Sequence, residues 1–503
     1  MLQKLFVRLT KWRILILLAL SLFTLATILL SYSQTHPTTT MTNWPKYTVV
    51  IDAGSSGSRV MVYRRNDVTQ PSNSSLPRIE PAGQNWTLKT TPGISSFDTQ
   101  DGITSHLAPL LDFATSVVPQ EEISQTPIYL LATGGMRLLP QTRQSWVLAR
   151  AWTFAHTWGF LVPQTGFQVV SGELEGLLGW LAINYLMDTF DSPRGFLDMG
   201  GASTQIVFEP PHKSGSLAKV TLRTLGGTEH EHHVFVRSFL GHGINEARRR
   251  YTEMLHNTTD PCLAHGIHST GSFSHCMEMT APLLSQELSL PEIDFAQQRF
   301  VGISEYWYTL HDHLGPKWDL EALERAASGF CQHPAEASLC FKAAWLANVL
   351  RGFNVPLKAE FESVFSVGST EVSWTLGKVL LNAMESIGPR PLEIELPNEP
   401  TQWSPTLCIR LLARWARVPW PAKLALLLTV LWAVGFAATV FCIRRHRKMQ
   451  RVPRKDESVG IEAGPQPPMY LVSDVYRARV AAPISRSSSV NNLLLANRRR
   501  GGD

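Results

Sequence analysis

The sequence predicts an α/β fold built from two related halves, with a membrane segment near each end. Three observations carry that expectation. Two glycine-rich turns each follow an apolar run and an aspartate: Val49-Val50-Ile51-Asp52-Ala53-Gly54-Ser55-Ser56-Gly57-Ser58-Arg59 and Gly195-Phe196-Leu197-Asp198-Met199-Gly200-Gly201-Ala202-Ser203-Thr204-Gln205. Short apolar strands alternate with helical stretches, and the strand ends carry polar turns, where α/β sheets place their sites. An apolar segment long enough to cross a bilayer lies toward each end of the 503-residue chain.

Each aspartate turn leads into a returning apolar run, Val60-Met61-Val62-Tyr63 or Ile206-Val207-Phe208, so each reads as strand, tight turn and strand. Glycines let the backbone approach a ligand closely, and successive N–H groups in such a turn form a nest for anions. An acid beside that nest repels phosphate unless a divalent cation sits between them. Two turns with one grammar imply a duplicated domain that grips a polyphosphate and its metal from both sides.

Length and composition agree. A chain of 503 residues exceeds one simple core, and 44% apolar with 17% charged residues suits a globular protein with membrane-embedded sequence. The net charge of +5 is concentrated toward the C-terminus, which argues against nucleic acid as a partner.

The N-terminal apolar segment, 14–30, is flanked by Lys4, Arg8, Lys11 and Arg13; the C-terminal one, 424–443, is followed by Arg444-Arg445-His446-Arg447-Lys448. A cleaved signal peptide is the alternative for 14–30, but the run is long and Ser31-Tyr32-Ser33-Gln34-Thr35 makes a poor cleavage site. Two retained spans place residues 1–13 and 444–503 in the cytosol and the middle in a lumen. Arg410, Arg414, Arg417 and Lys423 run against that bias, and the first helix overrides them. The sequons at Asn73, Asn85 and Asn257 all fall in the middle segment. In an oxidising lumen Cys262 with Cys276, and Cys331 with Cys340, can close two short disulfide loops; four buried thiols are the alternative.

Between the spans, 31–45 is a polar stem, 401–423 an aromatic-basic juxtamembrane stretch and 444–503 a basic, serine-rich disordered tail that can bind a cytosolic regulator. Strands are expected at Pro127–Thr133 and 167–170, with helices through 177–186, from Phe341 and from Val372 through Met384. His230, His232, His233 and His242 suggest a metal cluster, but they alternate with Glu229 and Glu231 in a loop-like stretch without matched ligand spacing, so a structural reading is preferred.

These motifs together resemble the ecto-nucleoside triphosphate diphosphohydrolases, the apyrases or nucleoside diphosphatases, across most of 46–385. The signatures stand in order: Asp52-Ala-Gly-Ser-Ser-Gly-Ser-Arg59, then Pro92-Gly93-Ile94-Ser95-Ser96-Phe97 and Ala132-Thr-Gly-Gly-Met-Arg137. They continue with Ser171-Gly-Glu-Leu-Glu-Gly176 plus Trp180 and Asn184-Tyr185-Leu186, Asp198-Met-Gly-Gly-Ala-Ser-Thr-Gln205, and finally Trp345 and Ser373-Trp374-Thr375-Leu376-Gly377. Gly134-Gly135 stands where many members have Ala-Gly. Gly57-Ser58 replaces the His-Thr of cell-surface members and resembles the Golgi-type branch with two anchors. The resemblance implies two actin-like (ribonuclease-H-like) lobes, 46–170 and 171–373, a return to the first lobe over 374–400, and a nucleotide in the cleft between them.

It also implies roles. Glu175 is the base that activates water, with Glu173 the alternative at a position that varies in the family; Ser203 and Gln205 orient the water. Asp52 and Asp198 hold Ca²⁺ or Mg²⁺, with Mn²⁺ also admissible, largely through bound waters. The turns that cradle phosphate comprise Gly54, Ser55, Ser56, Gly57, Thr133, Gly134, Gly200, Gly201, Ala202 and Ser203. Tyr306 and Phe353 are the nearest matches to the aromatic side chains that stack the base. Arg59 and Arg137 are expected to make structural pairs inside the lobes. The implied activity is metal-dependent hydrolysis of nucleoside di- and triphosphates of the UDP or GDP type in the Golgi lumen, supporting glycosylation. The alternatives are a cell-surface apyrase acting on extracellular ATP and ADP, a non-catalytic nucleotide-binding protein of actin fold, and a polyphosphate hydrolase.

Overall fold

The computed structural model describes residues 44–396 except 67–71, 73, 212–215, 256–258, 264–269, 285–289, 291–292, 315–316, 334–336, 389–391 and 393. The expected spans, the juxtamembrane stretch, the tail, nearly all of the stem and the sequons Asn73 and Asn257 lie outside the described residues. Among those described, no helix is long and apolar enough to cross a membrane. Asn85 sits on an exposed bend.

The first sheet starts with a hairpin of β1 (Tyr47–Ala53) and β2 (Ser58–Arg65), in register with Asp52 opposite Arg59. Strands β3 (Ile79–Pro81) and β4 (Thr87–Thr90) pair with β2. Helix α1 (Gln100–Val117) is capped by Thr99, whose side chain accepts from the Gly102 N–H, and it buries Ile103, Leu107, Leu110, Leu111 and Ala114 at helical spacing. Next come β5 (Ile128–Ala132), parallel to β1, the one-turn helix α2 (Gly134–Arg137), α3 (Gln141–Ala155) and β6 (Phe167–Val169), parallel to β5. The strand order is β3-β2-β1-β5-β6, with β4 beside β2.

Helix α4 (Gly172–Met187) leads to the second sheet. Strands β7 (Gly195–Met199) and β8 (Ser203–Phe208) form a hairpin with Asp198 opposite Gln205, repeating the plan of β1 and β2. Their apolar runs are buried throughout, as strands covered on both faces require. After β9 (Ala218–Arg223) and β10 (Glu229–Leu240) come helices α5 (Ile244–Leu255) and α6 (Phe273–Thr280). Strand β11 (Phe300–Ser304) lies parallel to β7, as β5 does to β1. The chain continues through α7 (Glu305–Leu314), β12 (Lys317–Asp319), α8 (Leu320–Phe330), α9 (Ala337–Gly352) and β13 (Lys358–Ser363). A small hairpin, β14 (Ser366–Val367) with β15 (Thr370–Glu371), precedes α10 (Trp374–Glu385). The order of this sheet is β12-β13-β11-β7-β8-β10-β9.

Helices α4 and α10 pack on each other between the sheets, α4 against β7, β8 and β10, and α10 against β1, β2 and β3. One apolar cluster therefore runs from Val50, Met61 and Leu131 through Leu177, Leu181 and Leu380 to Val207 and Val301. This explains why α4 is apolar on nearly every side.

Both cysteine pairs are disulfides, Cys262–Cys276 and Cys331–Cys340. They lie in the core of the second half, where α6 packs on α9. The histidine-rich stretch is strand rather than loop: His230, His232 and His233 belong to β10, paired with β9. His232 Nδ1 lies 3.2 Å from Glu209 Oε2, and its ring sits against Trp180 and Phe190. No group of three or more metal-ligating side chains is found among the described residues. The helix expected from 177 begins earlier, at Gly172, because Ser171 caps it by accepting from the Leu174 N–H.

Candidate active site

The equivalent ends of both sheets open into one cleft of about 370 Å³. Its wall includes Gly54, Ser55, Ser56 and Gly57 from the β1–β2 turn, and Thr133 and Gly134 after β5. Opposite them stand Gly200, Gly201, Ala202 and Ser203 from the β7–β8 turn. Asp52, Asp198 and Glu175 line the same space.

The turns are built for close approach. A Cβ on Gly201 would stand 2.5 Å from Ser55 Oγ of the opposing turn, and one on Gly93 2.5 Å from the Ser55 carbonyl oxygen. The Gly200-Gly201 turn is held by the start of α5, whose Ile244 and Asn245 also line the cleft: Ile244 N–H donates to the Gly200 carbonyl, and Asn245 and Glu246 N–H donate to that of Gly201.

Glu175 lies in the first turn of α4 and is only 8% exposed, so it is not a solvated acid. Its Oε2 accepts from Arg137 Nη2 at 2.8 Å and from Gln205 Nε2 at 3.1 Å. Ser203 Oγ accepts from the same two donors, at 2.8 Å and 3.0 Å. The three residues expected to activate and aim water thus form one hydrogen-bonded group. Burial drives the Glu175 carboxyl up to about 8, and the nearby Asp198 and Asp52 push the same way, while the Arg137 guanidinium pulls it down.

Arg137 corrects the sequence reading, which assigned it a pairing inside one lobe. It projects from the first half and binds Glu175 and Ser203 of the second. Its Nε and Nη1 are buried without a partner among the described residues. Arg59 likewise pairs with Glu371 of β15 rather than within the first sheet.

Asp52 and Asp198 suit a divalent cation. Each has a buried Oδ1 with no hydrogen-bond partner among the described residues, which costs free energy unless an ion supplies the missing contact. Desolvation raises Asp52 to about 7, with Arg59 opposing and Asp198 adding to it; desolvation raises Asp198 to about 6, opposed by its hydrogen bond to Ser304. Trp374 Nε1 donates to Asp52 Oδ2 at 3.2 Å. Ser304 holds a left-handed backbone, φ 57°, a strained conformation for a residue with a side chain and one found at functional sites. The sequence reading missed Ser304 and Asn245; the glycines flanking His242, just before α5, were the available signal for the latter.

The expected base platform is also corrected. Tyr306 and Phe353 are both 0% exposed. Tyr306 packs on Phe361 and meets Thr204 Oγ1 at 3.3 Å, and Phe353 packs on Phe239. Neither lines the cleft. The aromatic side chains that do are Tyr308, 49% exposed, and Phe365, 38% exposed, with Trp374 beside Asp52.

Known proteins are similar to this chain in sequence and in fold. The family model for the GDA1/CD39 (nucleoside phosphatase) family matches residues 38–282 and 275–395. The Golgi apyrase of Saccharomyces cerevisiae is 36% identical over 447 residues, covering 68% of this chain and 71% of that protein. The Golgi apyrase of Schizosaccharomyces pombe is 35% identical over 430 residues, covering 67% and 75%. A crystal structure of nucleoside triphosphate hydrolases from Neospora caninum superposes with a TM-score of 0.50 at 16% identity, covering 67% of this chain and 92% of that one; it shows the shared two-lobed fold. The chain belongs to the GDA1/CD39 (nucleoside phosphatase) family.

Proposed function

We propose that the protein hydrolyses nucleoside di- and triphosphates in the Golgi lumen, releasing inorganic phosphate. One observation carries this reading. Glu175, Ser203 and Gln205 form a bonded group beside a cleft walled by two glycine-rich turns and two buried aspartates.

The terminal phosphate lies between the β1–β2 and β7–β8 turns, held by their N–H groups and by the hydroxyls of Ser55 and Thr133. Asp52 and Asp198 would hold a divalent cation, Mg²⁺, Ca²⁺ or Mn²⁺, which would screen the phosphate charge. Ser203 and Gln205 aim a water at the terminal phosphorus, in line with the bridging oxygen. Glu175 takes the water's proton as the new P–O bond forms, and the bridging P–O bond breaks toward the departing nucleotide. The Arg137 guanidinium beside Glu175 opposes the upward push of burial and so favours the ionised carboxylate that accepts the proton. Tyr308 and Phe365 supply the aromatic faces for the base.

The Golgi assignment follows the two relatives named Golgi apyrase and the anchored, lumenal topology read from the sequence. The same topology leaves the tail, 444–503, to a cytosolic regulator. The test is phosphate release by the full-length protein from nucleoside di- and triphosphates with Mg²⁺ or Ca²⁺, together with microscopy of a tagged copy. Absence of turnover with every nucleotide overturns the enzymatic reading. Plasma-membrane signal alone favours a cell-surface apyrase.

A further inference from the structure

The cleft wall carries a cation that no step above uses. Lys89 of β4 stands directly opposite Arg59 of β2, and Arg59 stands opposite Asp52 of β1. Opposite residues on neighbouring strands share a face of the sheet. Asp52, Arg59 and Lys89 therefore form a row across three strands, and all three line the cleft. The other cations that line it, Arg59 and Lys342, are committed: Arg59 pairs with Glu371, and Lys342 Nζ lies 2.8 Å from Glu305 Oε1. Lys89 has no hydrogen-bond or ion-pair partner among the described residues.

Lys89 is exposed, and water can solvate its ammonium. Two features set it apart from an ordinary surface lysine. Like charges directly opposite on paired strands destabilise a sheet, so its place across from Arg59 carries a cost that an anion in the cleft offsets. It also stands beside a glycine-rich turn: a Cβ on Gly57 would lie 3.0 Å from Lys89 Cε. The Ser55 end of that turn faces elsewhere, since a Cβ on Gly201 would lie 2.5 Å from Ser55 Oγ. The β1–β2 turn thus has one end at the opposing turn and the other at Lys89.

We infer that Lys89 binds the phosphate next to the terminal one, donating from its ammonium to the non-bridging oxygens of that group. This rests on the nucleotide-hydrolase reading above, which seats the terminal phosphate between the two turns, at the Ser55 end. A phosphate chain that runs from there along the β1–β2 turn brings its second phosphate to Gly57 and Lys89. Bonds from an ammonium to phosphate oxygens are charge-assisted. When the bridging P–O bond breaks, its electron pair stays on the bridging oxygen, which departs with the second phosphate. Lys89 keeps its proton and screens the charge that develops there.

The test compares wild type, Lys89→Gln and Lys89→Arg in the full-length protein. The readouts are kcat/KM for UDP and competitive inhibition by inorganic phosphate and by the non-hydrolysable α,β-methylene analogue of UDP. Inorganic phosphate occupies the terminal position alone, whereas the analogue fills both. Lys89→Gln is expected to lower kcat/KM and to weaken the analogue by about tenfold or more, the loss of a charge-assisted bond, while inhibition by inorganic phosphate stays unchanged. Lys89→Arg is expected to recover most of both losses. An unchanged affinity for the analogue leaves Lys89 a solvated lysine and overturns the inference. Equal weakening of phosphate and analogue overturns it too, because it puts Lys89 on the terminal group. Failure of wild type to release phosphate from any nucleotide would instead remove the underlying reading.

Discussion

Arg137 Nη2 donates to Glu175 Oε2 at 2.8 Å, a bond that joins a turn of the first half to the opening turn of α4. The same Nη2 donates to Ser203 Oγ, so one guanidinium holds the proposed base and a water-orienting hydroxyl together. The arrangement proposed for catalysis therefore depends on the two halves being correctly seated.

That bond has a measurable sign. The Arg137 charge lowers the Glu175 pKa, so removing it raises that pKa further and moves the acid limb of the kcat/KM profile to higher pH. Arg137→Ala is expected to shift the limb upward and reduce kcat by about 10²-fold, the scale of a mispositioned base. Arg137→Lys, which keeps the charge and loses the fork, is expected to retain more of the limb's position than of the rate. An unshifted profile in Arg137→Ala would remove the electrostatic role.

Gly93 supports the first phosphate turn by the absence of a side chain. A Cβ there would lie 2.5 Å from the Ser55 carbonyl oxygen and 2.6 Å from that of Gly54. Gly93→Ala is expected to displace that turn, raise KM for nucleotides and cost roughly 1–3 kcal/mol of stability, as overpacking does. Urea unfolding and initial rates check both effects.

Without metal, Asp52, Asp198 and Glu175 all hold protons more tightly than ordinary carboxylates, at about 7, 6 and 8. Folding then binds protons between the ordinary carboxylate range and these values. The contribution of these groups to stability is accordingly most favourable at low pH and declines as pH rises from about 4 to 8. In thermal melts of metal-free protein, Asp198→Asn is expected to gain stability relative to wild type as pH rises through that window. Saturating Mg²⁺ or Ca²⁺ is expected to stabilise wild type more than the variant. Equal stabilisation of the two would argue against Asp198 as a metal ligand.

How legible each part was in the sequence follows from how local its determinants are. The aspartate turns and their returning strands are set by adjacent residues, and the fold places them as the sequence implied; the Ser171 cap is equally local, yet it starts the helix ahead of the expected 177. Arg137 was misread because its partners, Glu175 and Ser203, meet it only after two distant chain segments are brought together. Tyr306 is the aromatic the sequence suggests, whereas the one in the cleft is Tyr308, two positions farther along α7. Helical phase turns Tyr306 into the core and Tyr308 into the cleft. In β10 the Glu-His alternation carried a strand period, but its mostly polar residues concealed it: the strand starts exposed and becomes buried only past His233.

The most direct test of the account is Glu175→Gln in the full-length protein, with phosphate release and nucleotide–metal affinity measured on the same preparation. The amide keeps the shape of the side chain and can still bond within the Arg137, Ser203 and Gln205 group, but it cannot take a proton from water. The expected result is a fall in turnover of about 10²–10⁴-fold with nucleotide–metal binding largely retained. Turnover near that of the wild type would contradict the assignment of Glu175 as the base.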